Sequence, residues 1–184
     1  SPSGDFVEAS LCGSTFDTKI SVFTGICDSL VCIDGNDDSC GTQSVVGWCS
    51  DDMMDYYILV HGKGVAKGDF TLTITETPIV KPTVSVSPDS VFCDGDTAML
   101  TSSPAVEYLW NDLIQSTSAS IGVGVTGAFA VTTTDSNGCK ATSDTVYTVA
   151  NPLPIVNLGN DTTICHYSSI TLDAGNAGSS YAWS

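Results

Sequence analysis

Pro82-Thr-Val-Ser-Val-Ser-Pro-Asp-Ser-Val-Phe-Cys93 is the stretch that decides the fold, because it comes back as Pro154-Ile-Val-Asn-Leu-Gly-Asn-Asp-Thr-Thr-Ile-Cys165. Pro82, Val84, Asp89 and Cys93 map onto Pro154, Val156, Asp161 and Cys165 at a constant offset of 72 residues. Leu100 meets Leu172 in the same register. After one inserted residue, Tyr108-x-Trp110 meets Tyr181-x-Trp183. A fixed period marks tandem units, and this one is long enough for a small domain that folds alone. The first copy runs from about Pro82 to Val149, and the second reaches only its tryptophan.

Outward from the repeat, the chain divides into four parts: residues 1–76, a linker at 77–82, a domain at 83–150, and the start of a second repeat at 151–184. Short alternating runs separated by Gly, Asp and Asn turns predict an all-β architecture of tandem β-sandwiches. In the first domain the runs are Asp5–Ser10, Lys19–Phe23, Leu30–Ile33, Ser44–Trp48, Tyr56–Val60 and Asp69–Thr75. The last alternates cleanly, which predicts that Phe70, Leu72 and Ile74 are buried. In the second domain the expected strands are Thr83–Ser87, Thr97–Ser102, Glu107–Trp110, Ser118–Val123, Gly127–Thr133 and Ala141–Val149. Ala98, Leu100 and Trp110 are expected in its core. Asp135-Ser-Asn-Gly138 reads as a hairpin turn. Residues 155–184 supply about three strands, too few to close a sandwich. The prolines of Glu76-Thr-Pro-Ile-Val-Lys-Pro82 predict a semi-rigid spacer, since proline removes amide donors and favours extended chain.

The 184 residues carry 21 acids against 5 lysines and no arginine, a net charge of −16. Residues 1–78 contribute −9 and residues 79–184 contribute −7. Both halves repel phosphate, which excludes nucleic acid and anionic membranes as partners. No run of 18 apolar residues occurs, so no membrane-inserted helix is expected. Eight cysteines suggest an oxidising compartment. No paired C-x-x-C knuckles exist to hold zinc, so the cysteines read as disulfides. Expected pairs are Cys27–Cys32 across a short loop and Cys93–Cys139 at one end of the second domain. Cys12–Cys40 would tie the Phe16-Asp17-Thr18 turn to an acidic loop. Cys49 is left either with a partner upstream of residue 1 or with Cys40. Cys165 has no partner at the Cys139-equivalent position, so either a downstream portion or strand addition from another chain would complete that unit.

Asp34, Asn36, Asp37 and Asp38 lie within five residues. Clustered carboxylates repel unless a cation joins them, and Ca²⁺ takes six to eight oxygens, which makes the loop a calcium candidate. The competing reading is a turn whose side chains bond their own backbone amides. His61 and His166 stand alone, without a nucleophile signature, so no catalytic residue is expected and the chain does not read as an enzyme.

Two resemblances add to this. Cys12-Gly-Ser-Thr-Phe-Asp-Thr-Lys-Ile-Ser-Val-Phe-Thr-Gly25, Cys27–Cys32, Gly35–Gly41, Tyr56–Val60 and Gly68-Asp-Phe-Thr-Leu resemble the bacterial pre-peptidase C-terminal domain. That implies a jelly-roll-like sandwich attached to secreted enzymes or adhesins, sometimes binding calcium or glycans, with Asp17 placed near the acidic loop. The family's usual first strand is absent, which points to an N-terminal truncation. Pro82, Cys93, Trp110, Gly127-Ala-Phe, Asp135–Cys139 and Leu158–Cys165 are similar to the Ig-like or PKD-like repeats of Bacteroidetes surface adhesins exported by the type IX system. That implies a secreted or cell-surface location, with the other domains of one long chain, glycans, or self-association as partners. The same resemblance suggests O-glycosylation at Asp-Ser/Thr motifs, with Ser29, Ser90, Thr97, Thr145 and Thr162 as acceptors. These features lead to two functional expectations: a stalk segment of a large adhesin or filament, or an accessory calcium- or carbohydrate-binding module of a secreted hydrolase.

Overall fold

The computed structural model describes residues 4–183, and among them there is no helix. The protein is all β. Among the described residues, fifteen strands form five three-stranded sheets. The first domain contains β1 (Phe6–Ser10), β2 (Thr18–Ile26), β3 (Ser29–Asn36), β4 (Val45–Cys49), β5 (Tyr56–Gly62) and β6 (Thr73–Thr77). They form two sheets of order β4-β1-β6 and β3-β2-β5. Register explains the core between them. Ala9 sits opposite Val46, and Ile20 and Val22 sit opposite Val60 and Ile58. Alternation then turns Ala9, Val46 and Trp48 from one sheet, and Ile20 and Val22 from the other, onto one shared interior with Leu11. Thr18 and Ser44 are also fully buried, which is tolerable because they satisfy each other. The Ser44 hydroxyl donates to the Thr18 carbonyl at 2.8 Å, and the Ser44 amide donates to Thr18 Oγ1 at 3.0 Å.

The burial expected of the Asp69–Thr75 run does not occur. Phe70, Leu72 and Ile74 are 54%, 37% and 48% exposed. The register Ala9↔Ile74 does aim Ile74 toward the core side. But β6 is an edge strand whose substantial contacts are with β1 alone, so nothing closes over it. Pairing begins only at Thr73, four residues later than the alternation implies.

The second domain contains β7 (Val84–Ser87), β8 (Val91–Cys93), β9 (Ala98–Ser102), β10 (Glu107–Trp110), β11 (Ser120–Val123), β12 (Gly127–Phe129), β13 (Val131–Thr134), β14 (Lys140–Thr142) and β15 (Val146–Asn151). Its sheets run β11-β9-β7, β10-β13-β14 and β12-β15-β8. The short strand β8 has no counterpart among the sequence expectations; it pairs parallel with β15, Asn151 facing Cys93. The expected Gly127–Thr133 strand is broken at Ala130. There Asn111 substitutes for a neighbouring strand: its Oδ1 accepts the Ala130 amide at 2.8 Å and its Nδ2 donates to the Ala128 carbonyl. The chain thereby leaves β15 and joins β10. Ala98, Leu100 and Trp110 are buried as expected, packed with Ile121, Val123, Phe129 and Val131. Trp110 is 1% exposed, and its indole N–H donates to the Ser118 carbonyl at 2.9 Å. At the hairpin, Asp135 Oδ1 accepts the amides of Asn137 and Cys139, and Gly138 takes φ of 83°, which glycine adopts without strain.

Residues 152–183 contain no strand, against the expectation of about three. Apart from Ala174 and Asn176, these residues are exposed. What order they have is local. Asn176 Nδ2 donates to the carbonyls of Ile155 and Ala174, and the Tyr181 hydroxyl donates to those of Gly175 and Asn176.

Candidate functional site: the acidic loop and the cysteine joint

The acidic residues leave β3 and enter the loop toward β4. Asp34 and Asn36 end the strand opposite Val22 and Ile20. Loop geometry follows from three closures. The Ser39 and Cys40 amides both donate to the Gln43 carbonyl, at 2.8 and 3.1 Å. The Thr18 amide donates to the Thr42 carbonyl at 3.0 Å. Cys40 is bridged to Cys12 with the Cα atoms 5.8 Å apart, as the loop-tying expectation had it.

The five calcium candidates do not converge. Asp34 Oδ1 accepts the Gly35 amide at 2.8 Å. Asn36 Oδ1 accepts the amide of Val45, at the start of β4, at 3.3 Å. Asp37 and Asp38 converge on Lys63, at 3.2 and 2.8 Å. Lys63 arrives from the loop after β5, anchored by its own amide donating to the Asp17 carbonyl at 3.0 Å. The Asp38 carboxylate, and after it Asp37, holds the Lys63 ammonium well above the usual lysine range. All three side chains are nearly half exposed, so solvent screens the cluster and keeps its contribution to stability small. Asp17 Oδ1 is buried without a hydrogen-bond partner. Among the described residues, no group of three or more His, Cys, Asp or Glu side chains is arranged to hold a metal ion. Sequence reasoning missed Lys63, which is 25 residues from Asp38. The only available signal was that a first domain with 3 lysines places one beside its densest acids.

The cysteines depart most from expectation. Cys139 bonds Cys49 of the first domain, not Cys93, with Cα atoms 5.4 Å apart across 90 residues. The reason is topological. Cys139 closes the β13–β14 turn beside Pro82 and Pro104, at the end where the linker enters. Cys93 stands opposite Asn151, at the end where the chain leaves. Nor do Cys27 and Cys32 pair. Cys27 lies in the tight turn after Ile26, while Cys32 faces Phe23 three residues up the hairpin. At about 3.3 Å per strand residue that is on the order of 10 Å, beyond the reach of a disulfide. Cys27, Cys32, Cys93 and Cys165 are exposed free thiols.

Cys49 ends β4 opposite Phe6, and Phe6 also faces Thr77, the last residue of β6. The bridge therefore grips the first domain where its exit strand departs. Two polar contacts reinforce the same joint. Asp5 Oδ1 accepts the Ile79 amide at 2.9 Å, and Lys81 pairs with Asp144 of the second domain. Pro82 is buried, and a hollow of about 410 Å³ lies among Ile79, Val80, Pro82, Pro104, Val106 and Cys139. The linker is thus a covalently closed joint, where proline content alone suggested a spacer.

Of the candidate acceptor hydroxyls, Ser29, Thr97, Thr145 and Thr162 are exposed and Ser90 is half-buried. No family model matches the chain, and no curated protein matches it. Two disulfides suit an oxidising environment, and no helix among the described residues is long and apolar enough to cross a membrane.

Proposed function

We propose that this chain is a disulfide-stapled stalk segment of a large secreted, cell-surface adhesin or filament protein. The observation that carries the reading is the Cys49–Cys139 bridge between consecutive domains. A disulfide inside one domain stabilises that domain. One across a joint makes the joint bear load, because tension entering at one end bypasses the chain between the two cysteines. Stacked all-β domains with a covalent joint suit spacing and contact under force. The calcium-module alternative is weaker here, because Lys63 is already paired with both Asp37 and Asp38.

Single-molecule stretching of the whole chain tests the reading. With both bridges intact, separations of 90 and 28 residues stay out of the extension, and full unfolding ends about 400 Å short of the reduced chain, about 300 Å of it from the Cys49–Cys139 bridge. A gain on reduction of only about 100 Å, the share of the Cys12–Cys40 loop, would remove the mechanical argument. A saturable calcium titration of the same chain, lost in both Asp37→Ala and Asp38→Ala, would favour the binding module instead.

A further inference from the structure

Residues 154–183 repeat the pattern of residues 82–110, yet the two copies end in opposite states. In the second domain, Val84, Val86, Ala98, Leu100, Tyr108 and Trp110 form or flank a core. Their counterparts Val156, Leu158, Ile170, Leu172, Tyr181 and Trp183 are all between 46% and 59% exposed. Most of these side chains line one open hollow of about 360 Å³ with Ala174 and Ala182. A contiguous apolar face of this kind marks a surface built to be covered.

The second domain displays what the cover looks like. There β11 pairs with β9, β13 pairs with β10, and β15 pairs with β8. Ile121, Val123, Phe129 and Val131 fill the interior against Leu100 and Trp110. We infer that the face on residues 156–183 is a docking surface for the second half of a repeat of this same type. That occupant is an extended polypeptide with the alternation of Ser120-Ile-Gly-Val123 and Gly127-Ala-Phe-Ala-Val131, added by strand pairing. Charge separates it from the obvious competitor, a second copy of the chain. Residues 111–151 carry three acids and one lysine, a net −2, whereas each whole chain carries −16. Two whole chains therefore repel far more strongly than the chain repels the repeat half. The inference goes beyond the stalk reading and does not depend on it.

The test adds a synthetic peptide of residues 111–151, carrying Cys139→Ser to prevent disulfide exchange, to the intact oxidised chain. Hydrogen exchange and tryptophan emission are followed. The expected result is saturation at one peptide per chain, a blue shift from Trp183, and new amide protection across residues 156–183. Leu172→Asp should weaken binding at least about tenfold. Because Leu172 is exposed, unfolding of the second domain should be unchanged in that variant. A peptide of reversed sequence should not bind. No saturable binding, protection appearing over residues 84–110 instead, or a dimer of the chain alone that protects residues 156–183 would each overturn the inference.

Discussion

Trp110 and Trp183 hold the same place in one repeated pattern, and the first is 1% exposed while the second is 59% exposed. The neighbours differ in the same way: Leu100 is fully buried and Leu172 is 46% exposed. Both segments have alternation, a leading proline and the Tyr-x-Trp signature. Only one has β11 to β15 across from it. Alternation is thus a capacity to form a strand: pairing with a neighbour realises the strand, and a covering sheet buries its apolar face. β6 in the first domain shows the two steps apart, paired in register with β1 yet with Ile74 uncovered.

The sharpest way to break this comparison is to truncate both tryptophans. Trp110→Ala should destabilise the second domain by about 3–5 kcal/mol, the usual cost of emptying a buried aromatic site. Trp183→Ala should change the same denaturation curve by less than about 0.5 kcal/mol. Comparable losses from the two variants would show that residues 156–183 already share a core.

The cysteines extend the comparison to covalent links. Cys49→Ser with Cys139→Ser should cost about 2–4 kcal/mol, because the bridge closes a long loop in the unfolded chain. Cys93→Ser and Cys165→Ser, which remove free thiols at equivalent repeat positions, should be nearly neutral in the same thermal melts. Mass spectrometry after alkylation should count four reactive thiols in the native protein and eight after reduction in denaturant. A native count of two would mean that the expected Cys27–Cys32 link forms after all.

A smaller effect is expected at Asp112, just after β10 in the covered copy. The Ser116 hydroxyl donates to its carboxylate at 2.6 Å and the Ser116 amide at 2.7 Å, and these bonds lower its pKa from the ordinary 3.8. A lowered folded-state pKa stabilises above the unfolded value, and that contribution is lost as pH falls through the folded value. Asp112→Ala should therefore cost about 1 kcal/mol at pH 7 and progressively less below pH 3.8, read from urea melts across that range. A constant difference down to pH 2 would rule the carboxylate out as the cause.

The smallest effect belongs to Lys63. Its raised pKa means that the stabilisation is present below about 10.5 and is lost as pH rises through the higher folded value. Lys63→Met should lower the melting temperature of the first domain slightly at pH 8, and 1 M NaCl should erase the difference. A salt-independent loss would place the effect in the packing of the Lys63 stem.

Much of the architecture was legible in the residues. Glu107–Trp110 matches β10 residue for residue, the inward positions Ala98 and Leu100 follow from alternation, and Trp110 fills the core as a large aromatic was expected to. The Asp135–Gly138 turn was legible because its backbone geometry is local. The Cys12–Cys40 link was anticipated for the acidic loop. Lys63 and the Asn111 bridge at Ala130 were not, because each depends on a partner remote in sequence that only the folded chain brings near.

The amino-acid order by itself settled that this protein is all β, that it repeats every 72 residues, and which faces of most strands are apolar. Those properties are written in nearest-neighbour periodicity and need no knowledge of where the chain goes next. The tertiary structure alone decided that Cys139 reaches back to Cys49, that Lys63 caps the acidic loop, and that one repeat has a core while the other has an open face. Each of these turns on which distant groups meet, and periodicity is silent about distant groups. A disulfide, an ion pair and a closed core all require two surfaces to arrive at the same place.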